Sequence, residues 1–156
     1  MADAPPIELA TIADLIAVNE ERQWFWGERD TQFLHHVMLV REFGETAFVV
    51  RDSEGKVIAY LFGLVTPARV GYVHLVAVRE GHRGQGLARR LYARFKEDAR
   101  ELGALRLKAI TQPVNTRSIA FHRALGFTVS EVADYSGPGA TRIVFWKELA
   151  DDTGAG

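Results

Sequence analysis

Two glycines and a group of cations stand where a strand hands over to a helix. The stretch His74–Tyr92, HLVAVREGHRGQGLARRLY, opens with a β-branched run, passes through Gly81–Gly86 and closes with a helix-forming segment. The first N–H groups of a helix have no internal acceptors and sit at its positive end, so such a junction suits a phosphate. Glycine there takes unusual dihedrals and lets a ligand approach the backbone. Arg83 and Arg89 can neutralise phosphate charge, while Arg90 and Arg94 read better as a solvated helix face. Two known loops fail on the residues themselves. A Walker loop needs Lys and Ser/Thr after its last glycine, and Leu87 and Ala88 follow Gly86. A dinucleotide-binding G-x-G-x-x-G needs a third glycine where Arg89 stands. A glycine-rich turn that only reverses the chain remains as the alternative.

The elements around this junction follow from periodicity and caps. Ile7–Leu9 reads as a short strand. Thr11 with Asp14 three residues on predicts a capped helix that turns Ile12, Leu15, Ile16 and Val18 inward. Asp30 or Thr31 would cap a second helix, with Phe33, Leu34, Val37, Val40 and Leu39 on its apolar face and Gly44 at its end. TAFVVRD and KVIAYLFGLVT flank the compact turn SEG and should pair as a hairpin, the second strand stopping at Pro67. GYVHLVAV is apolar enough to be a central strand. The helix after Gly84 should bury Leu87, Leu91, Phe95, Ala99 and Leu102, and Gly103 ends it. ALRLKAIT is a strand, NTRSIAFHRAL a short helix, and FTVSEVADY and TRIVFWKEL two closing strands around SGPGA. The order predicts an α/β sheet of mixed direction with strand–helix–strand units in its second half. The ends, Met1–Pro6 and DDTGAG, read as frayed.

Composition narrows the function classes. The chain has 156 residues, 47% of them hydrophobic and 25% charged, which suits one compact domain. A net charge of −1 gives no global field for nucleic acid or an acidic membrane, so any basic site must be local. No cysteine is present, which excludes a disulfide framework, Cys-ligated zinc and a thiol nucleophile; no metal is expected. MADAPPIELA lacks the pattern of a signal peptide, and no apolar run approaches the roughly 20 residues of a membrane helix. A soluble cytoplasmic protein is expected.

VAVREGHRGQGLARRLY followed by NTRSIAFHRALGF resembles the GCN5-related N-acetyltransferases, with both hallmark segments in order. The family's Arg/Gln-x-x-Gly-x-Gly/Ala is matched by Gly84 and Gly86, but Gly81 replaces its leading side chain. Its second segment is matched by Asn115, Ser118, Gly126 and Phe127. His122 stands where that segment usually has tyrosine, as in the branch resembling phosphinothricin-type acetyltransferases. The resemblance spans about Ile7 to Leu149. It implies a single N-acetyltransferase domain whose mixed, mostly antiparallel sheet has about seven strands, a splayed central strand and flanking helices. It implies acetyl-CoA as co-substrate. Backbone groups of Val76 and Val78 would bond its pantetheine amides, with Ala77 facing the other way. The N–H groups of Arg83, Gly84, Gln85, Gly86, Leu87 and Ala88 would hold its pyrophosphate, helped by Arg83 and Arg89. Asn115 and Ser118 would contact it from the next helix, although capping alone also explains Asn115.

Acetyl transfer to an amine requires a neutral nucleophile, a stabilised oxyanion and a protonated leaving thiolate. A lysine-like amine of pKa near 10.4 is neutral in only about one molecule in a few thousand at pH 7, so a base is useful. Without a thiol, direct attack is favoured over an acyl-enzyme, and the N–H of Val76 or a neighbour can meet the oxyanion. Alternation puts Tyr72, His74, Val76 and Val78 on one strand face, which makes His74 the candidate base; a buried histidine bonded to a carbonyl is the alternative. His122, in the tyrosine position, is the candidate acid toward the thiolate, against a packed helix histidine.

The acceptor is expected to be a small-molecule or peptide amine. RQWFWGERDTQFLHH concentrates Trp24, Phe25, Trp26 and Phe33 beside Glu20, Glu21, Glu28 and Asp30. With Tyr72 these form the expected pocket for a cationic or aromatic amine. Core packing or a homodimer contact accounts for the same aromatics. Neither nucleic acid nor a membrane is an expected partner. The rival from another class is an acyl-CoA sensor without chemistry.

Overall fold

The computed structural model describes residues 3–149. Of the expected frayed ends, residues 1–2 and 151–156 lie outside the described residues. Seven strands are present: β1 (Ile7–Leu9), β2 (Ala47–Arg51), β3 (Val57–Val65), β4 (Val70–Val78), β5 (Arg106–Thr111), β6 (Thr128–Val132) and β7 (Arg142–Glu148). Their order in one sheet is β1-β2-β3-β4-β5-β7-β6. The β1–β2, β2–β3, β5–β7 and β6–β7 pairs are antiparallel. β4 and β5 are parallel and pair over Val70–Tyr72 against Arg106–Lys108. The mixed, mostly antiparallel sheet and its flanking helices are as the sequence implies. The described residues form two compact units, one from residues 3–64 with 73–99 and one from 65–72 with 100–149.

In the first unit, α1 (Ile12–Glu20) has the expected cap: Thr11 N–H donates to Asp14 at 2.8 Å, and Asp14 N–H to the Thr11 hydroxyl at 3.2 Å. Arg51 pairs with Asp14 at 2.5 Å and fastens this end to β2. Leu15 and Val18 enter the core, but Ile16 is 53% exposed, against expectation. One residue past Leu15 lies about 100° around the helix, off the narrow buried stripe.

The second helix expected from Thr31 to Phe43 does not form. A short α2 (Gln23–Trp26) precedes a 3₁₀ turn at Gln32–Leu34, a single turn α3 (Met38–Arg41) and a 3₁₀ turn at Gly44–Thr46. His35 is the physical reason. Its ring Nδ1 takes the Thr31 carbonyl at 2.7 Å, the acceptor a continuing α-helix would give to the His35 N–H. That N–H bonds Gln32 instead, at 3.1 Å. The break turns Phe33 out, 74% exposed, exposes Val37 as well, and leaves Leu39 buried.

The β2–β3 hairpin closes as expected, with Asp52 Oδ1 accepting the Glu54 and Lys56 N–H groups at 2.9 Å. Tyr60, Phe62, Leu75 and Ala77 pack with Leu15, Phe25 and Leu39 in the core. β4 alternates: Val73, Leu75 and Ala77 are buried, and Tyr72, His74, Val76 and Val78 are half-buried on the other side. α4 (Leu87–Glu101) buries Leu87, Leu91, Tyr92, Phe95 and Ala99. Leu102 is exposed, contrary to expectation, because the helix stops one residue before it.

In the second unit, α5 (Thr116–Ala124) starts at Asn115, whose side chain accepts the Ser118 N–H at 3.2 Å. β5 and β7 pair in register from Arg106↔Glu148 to Thr111↔Ile143. On that ladder Arg106 lies 3.7 Å and Lys108 4.8 Å from the Trp146 ring centroid.

Candidate acyl-donor and proton-transfer site

The loop after β4 is held from its first residue. Arg79 is 7% exposed although charged. Its N–H donates to the Ile58 carbonyl at 2.8 Å and its Nε to the Val57 carbonyl at 3.0 Å. Its guanidinium pairs with Glu21 and lies 4.6 Å over the Phe25 ring. Glu80 N–H then donates to the Trp24 carbonyl at 2.8 Å. Arg83 folds back: Nη2 donates to the Phe25 carbonyl at 3.0 Å and Nε to Val78 at 3.3 Å. The side chain expected to meet phosphate thus braces the loop against α2.

Gly84 and Gly86 have φ of 80° and 78°, the left-handed region that side chains rarely adopt. A Cβ on either would meet nothing within 4 Å, so open space lies before the backbone at both. The Gly86 carbonyl accepts the Arg90 N–H at 3.0 Å, which starts α4. Gly86 is therefore the cap position, and the N–H groups of Leu87, Ala88 and Arg89 have no carbonyl within the helix. Leu87 buries its side chain beneath this turn; Gln85 and Arg89 are exposed. Arg90 donates to the Pro5 carbonyl at 2.6 Å, and Arg94 pairs with Asp98 and covers Phe48. Both act within the fold.

His74 has its Nε2 3.0 Å from the Leu34 carbonyl. A carbonyl only accepts, so Nε2 carries the hydrogen and Nδ1 keeps the lone pair. Burial lowers its pKa below 6.5, opposed by the Leu34 bond. His122 is 3% exposed. Its Nδ1–H donates to the Ser118 carbonyl at 2.8 Å, and its ring is ringed edge-on by Phe121 and Phe127. Burial first, against the Ser118 bond, takes its pKa down to about 4. At pH 7 that imidazole is neutral with Nε2 unprotonated, which leaves little proton to give from that atom. Asn115 is used on both sides, capping with Oδ1 and donating Nδ2–H to the Thr111 hydroxyl at 3.0 Å.

Residues 12–127 match the model of the acetyltransferase (GNAT) family. The chain belongs to the GNAT family. It is 40% identical over 57 residues to the L-methionine sulfoximine/L-methionine sulfone acetyltransferase of Salmonella typhimurium, covering 36% of this chain and 33% of that protein. It is 37% identical over 76 residues to the L-amino acid N-acyltransferase MnaT of Escherichia coli, covering 49% and 42%. The matched stretches thus span about a third to two fifths of the length of these relatives. Among solved structures, yncA of Salmonella typhimurium with its cofactor acetyl-CoA superposes with a TM-score of 0.68 at 23% identity, covering 97% of each chain.

The aromatic segment of this GNAT chain divides. Phe25 is a correction to the expected pocket wall: its ring is buried in the core, edge-on to Tyr60 with centroids 5.0 Å apart. Trp26 is half-buried and donates Nε1–H to the Tyr60 hydroxyl at 2.7 Å. Trp24 is half-exposed. Glu20, Glu28 and Asp30 do share an open groove of about 410 Å³ with Arg22 and Arg29, a rim of both signs; Glu21 is committed to Arg79. In the second unit the Tyr72 hydroxyl is pushed up to about 12 by burial and by Tyr135. Among the described residues no group of three or more His, Asp or Glu could hold a metal ion, and no helix is long and apolar enough to cross a membrane. Sequence reasoning missed Arg79, His35 and Tyr60. Arg79 meets Glu21, His35 meets Tyr60 and Tyr60 meets Trp26 far along the chain, and only the polar types inside apolar runs marked them.

Proposed function

We propose that this GNAT chain is one N-acetyltransferase domain, about residues 7–149, that moves the acetyl group of acetyl-CoA onto the primary amine of a small molecule such as an amino acid. The observation that carries the reading is the left-handed turn at Gly84 and Gly86 leading into the open first turn of α4. The fit is chemical: backbone donors converge at a positive helix end with space before them. The N–H groups from Arg83 to Ala88 hold the pyrophosphate, and exposed Arg89 and Gln85 lie beside it. Val76 and Val78 present backbone groups to the pantetheine, while Ala77 anchors the strand in the core. Bound acetyl-CoA supplies the acetyl group as an activated thioester.

His74 removes the amine proton at Nδ1 as the amine nitrogen bonds the acetyl carbon, and the Val76 N–H faces the developing negative charge; the C–S bond then breaks and the CoA thiolate takes its proton from solvent. His122 acts through packing; its neutral, stacked ring favours that over the acid role. Asn115 and Ser118 act through the cap of α5. The names of the curated relatives support an amino-acid acceptor, and the two-signed groove at Arg22, Glu28 and Arg29 suits a zwitterion. Trp24 and Trp26 border that stretch.

Acetyl-CoA-dependent thiol release across a panel of amino acids, aromatic amines and peptides tests the proposal. Turnover restricted to amino acids is the expected result. Tight acetyl-CoA binding with no turnover on any amine would favour the sensor instead.

A further inference from the structure

The carbonyl that holds His74 belongs to a turn that ends in a second histidine. His35 is buried, with Nδ1 2.7 Å from the Thr31 carbonyl and Nε2 2.7 Å from the Tyr60 hydroxyl. Thr31 can only accept, so Nδ1 carries the hydrogen. Burial is the largest influence on the ring and, with the Arg22 charge nearby, it favours the neutral form against the Thr31 bond. Nε2 then holds a lone pair and accepts the Tyr60 O–H. The Tyr60 oxygen in turn accepts Trp26 Nε1–H at 2.7 Å, a nitrogen that only donates.

All three links run one way, from Trp26 through Tyr60 and His35 to Thr31. A chain in which each donor meets one acceptor in this sense has one arrangement. It fastens the turn Thr31–His35 to β3. Within that turn Leu34 N–H bonds Thr31 at 3.0 Å and His35 N–H bonds Gln32 at 3.1 Å, so the Leu34 carbonyl between them has a set direction.

We propose that His35 is a positioning residue for His74: by clamping the Thr31–His35 turn to Tyr60, it aims the Leu34 carbonyl at His74 Nε2 and keeps the basic lone pair on Nδ1. Its effect on rate rests on His74 being the base; its control of the tautomer does not.

Long-range ¹H–¹⁵N spectra of the ¹⁵N-histidine-labelled protein report which ring nitrogen carries hydrogen. In the unmodified protein His74 should be the Nε2–H form and His35 the Nδ1–H form, and the opposite assignment of either overturns the proposal at once. His35→Phe fills the site without either link, and Tyr60→Phe keeps the ring contacts and removes the hydroxyl. Both should turn His74 into a mixture of tautomers. Both should also lower kcat about ten- to a hundredfold with the acetyl-CoA KM unchanged, and His35→Gln, which can still accept from Tyr60, should recover part of it. An unchanged His74 tautomer in either folded variant refutes the idea. Full activity of His74→Ala would remove the base reading, while the tautomer spectra would still judge His35.

Discussion

His122 lies flat on Phe145, with ring centroids 3.9 Å apart and planes 3° from parallel. The stack and the burial hold this histidine neutral in a position associated with a proton donor. Its value of about 4 lies below the 6.5 of an unfolded chain. Between those values the unfolded chain holds the proton and the folded one does not. Stability therefore falls as pH drops through that window, by up to about 3 kcal/mol from this ring alone. His74 and His35, also lowered, act in the same direction. His122→Phe should flatten the loss of melting temperature below pH 6.5 and keep turnover close to the parent. A fall of about a hundredfold or more in kcat would return the acid role to His122.

His74→Ala should lower kcat by roughly 10²–10⁴-fold. Because burial lowers the His74 pKa, the rate of the parent should rise with pH along a limb centred below 6.5. That limb should vanish in the variant, with partial recovery at high pH, where the amine deprotonates without help. An unchanged pH–rate profile would give the base role to water or a carboxylate.

Arg79 joins the first residue of the loop to α1 and β3. Arg79→Met leaves Glu21 and the Val57 carbonyl without their donor. The cost should be about 3 kcal/mol, the low end for a buried pair because Glu21 is partly solvated. Urea melts would read it. The acetyl-CoA KM should rise more than the acceptor KM if the loop that Arg79 anchors holds the phosphates as proposed, and equal effects on both would make Arg79 a stability residue only.

Features set by neighbours in sequence were legible in advance. The Thr11–Asp14 cap, the β2–β3 hairpin, the alternation of β4 and the Asn115 cap each depend on residues a few places apart. The long second helix was misread because its apolar spacing is real. A ring on His35, bonded to Tyr60 25 residues away, took the carbonyl that helix needed. Arg83 shows the same limit: a cation in a glycine loop looks aimed outward, and only the packing shows that α2 offers it the Phe25 carbonyl. Arg79 is the opposite case, an arginine whose burial only the packing of Glu21, Val57 and Phe25 reveals.

Gly86 tests the central claim most directly, that the turn before α4 holds acetyl-CoA by its backbone. At a φ of 78°, any side chain strains the loop by roughly 1–2 kcal/mol, yet a Cβ touches nothing in the protein. Only a ligand pressed against the backbone would meet it. Calorimetric titration of acetyl-CoA into folded Gly86→Val should show a Kd raised well over tenfold, about 1.4 kcal/mol or more, with acceptor binding little changed. The same Kd as the parent in a folded Gly86→Val protein would contradict the assignment of the phosphate site.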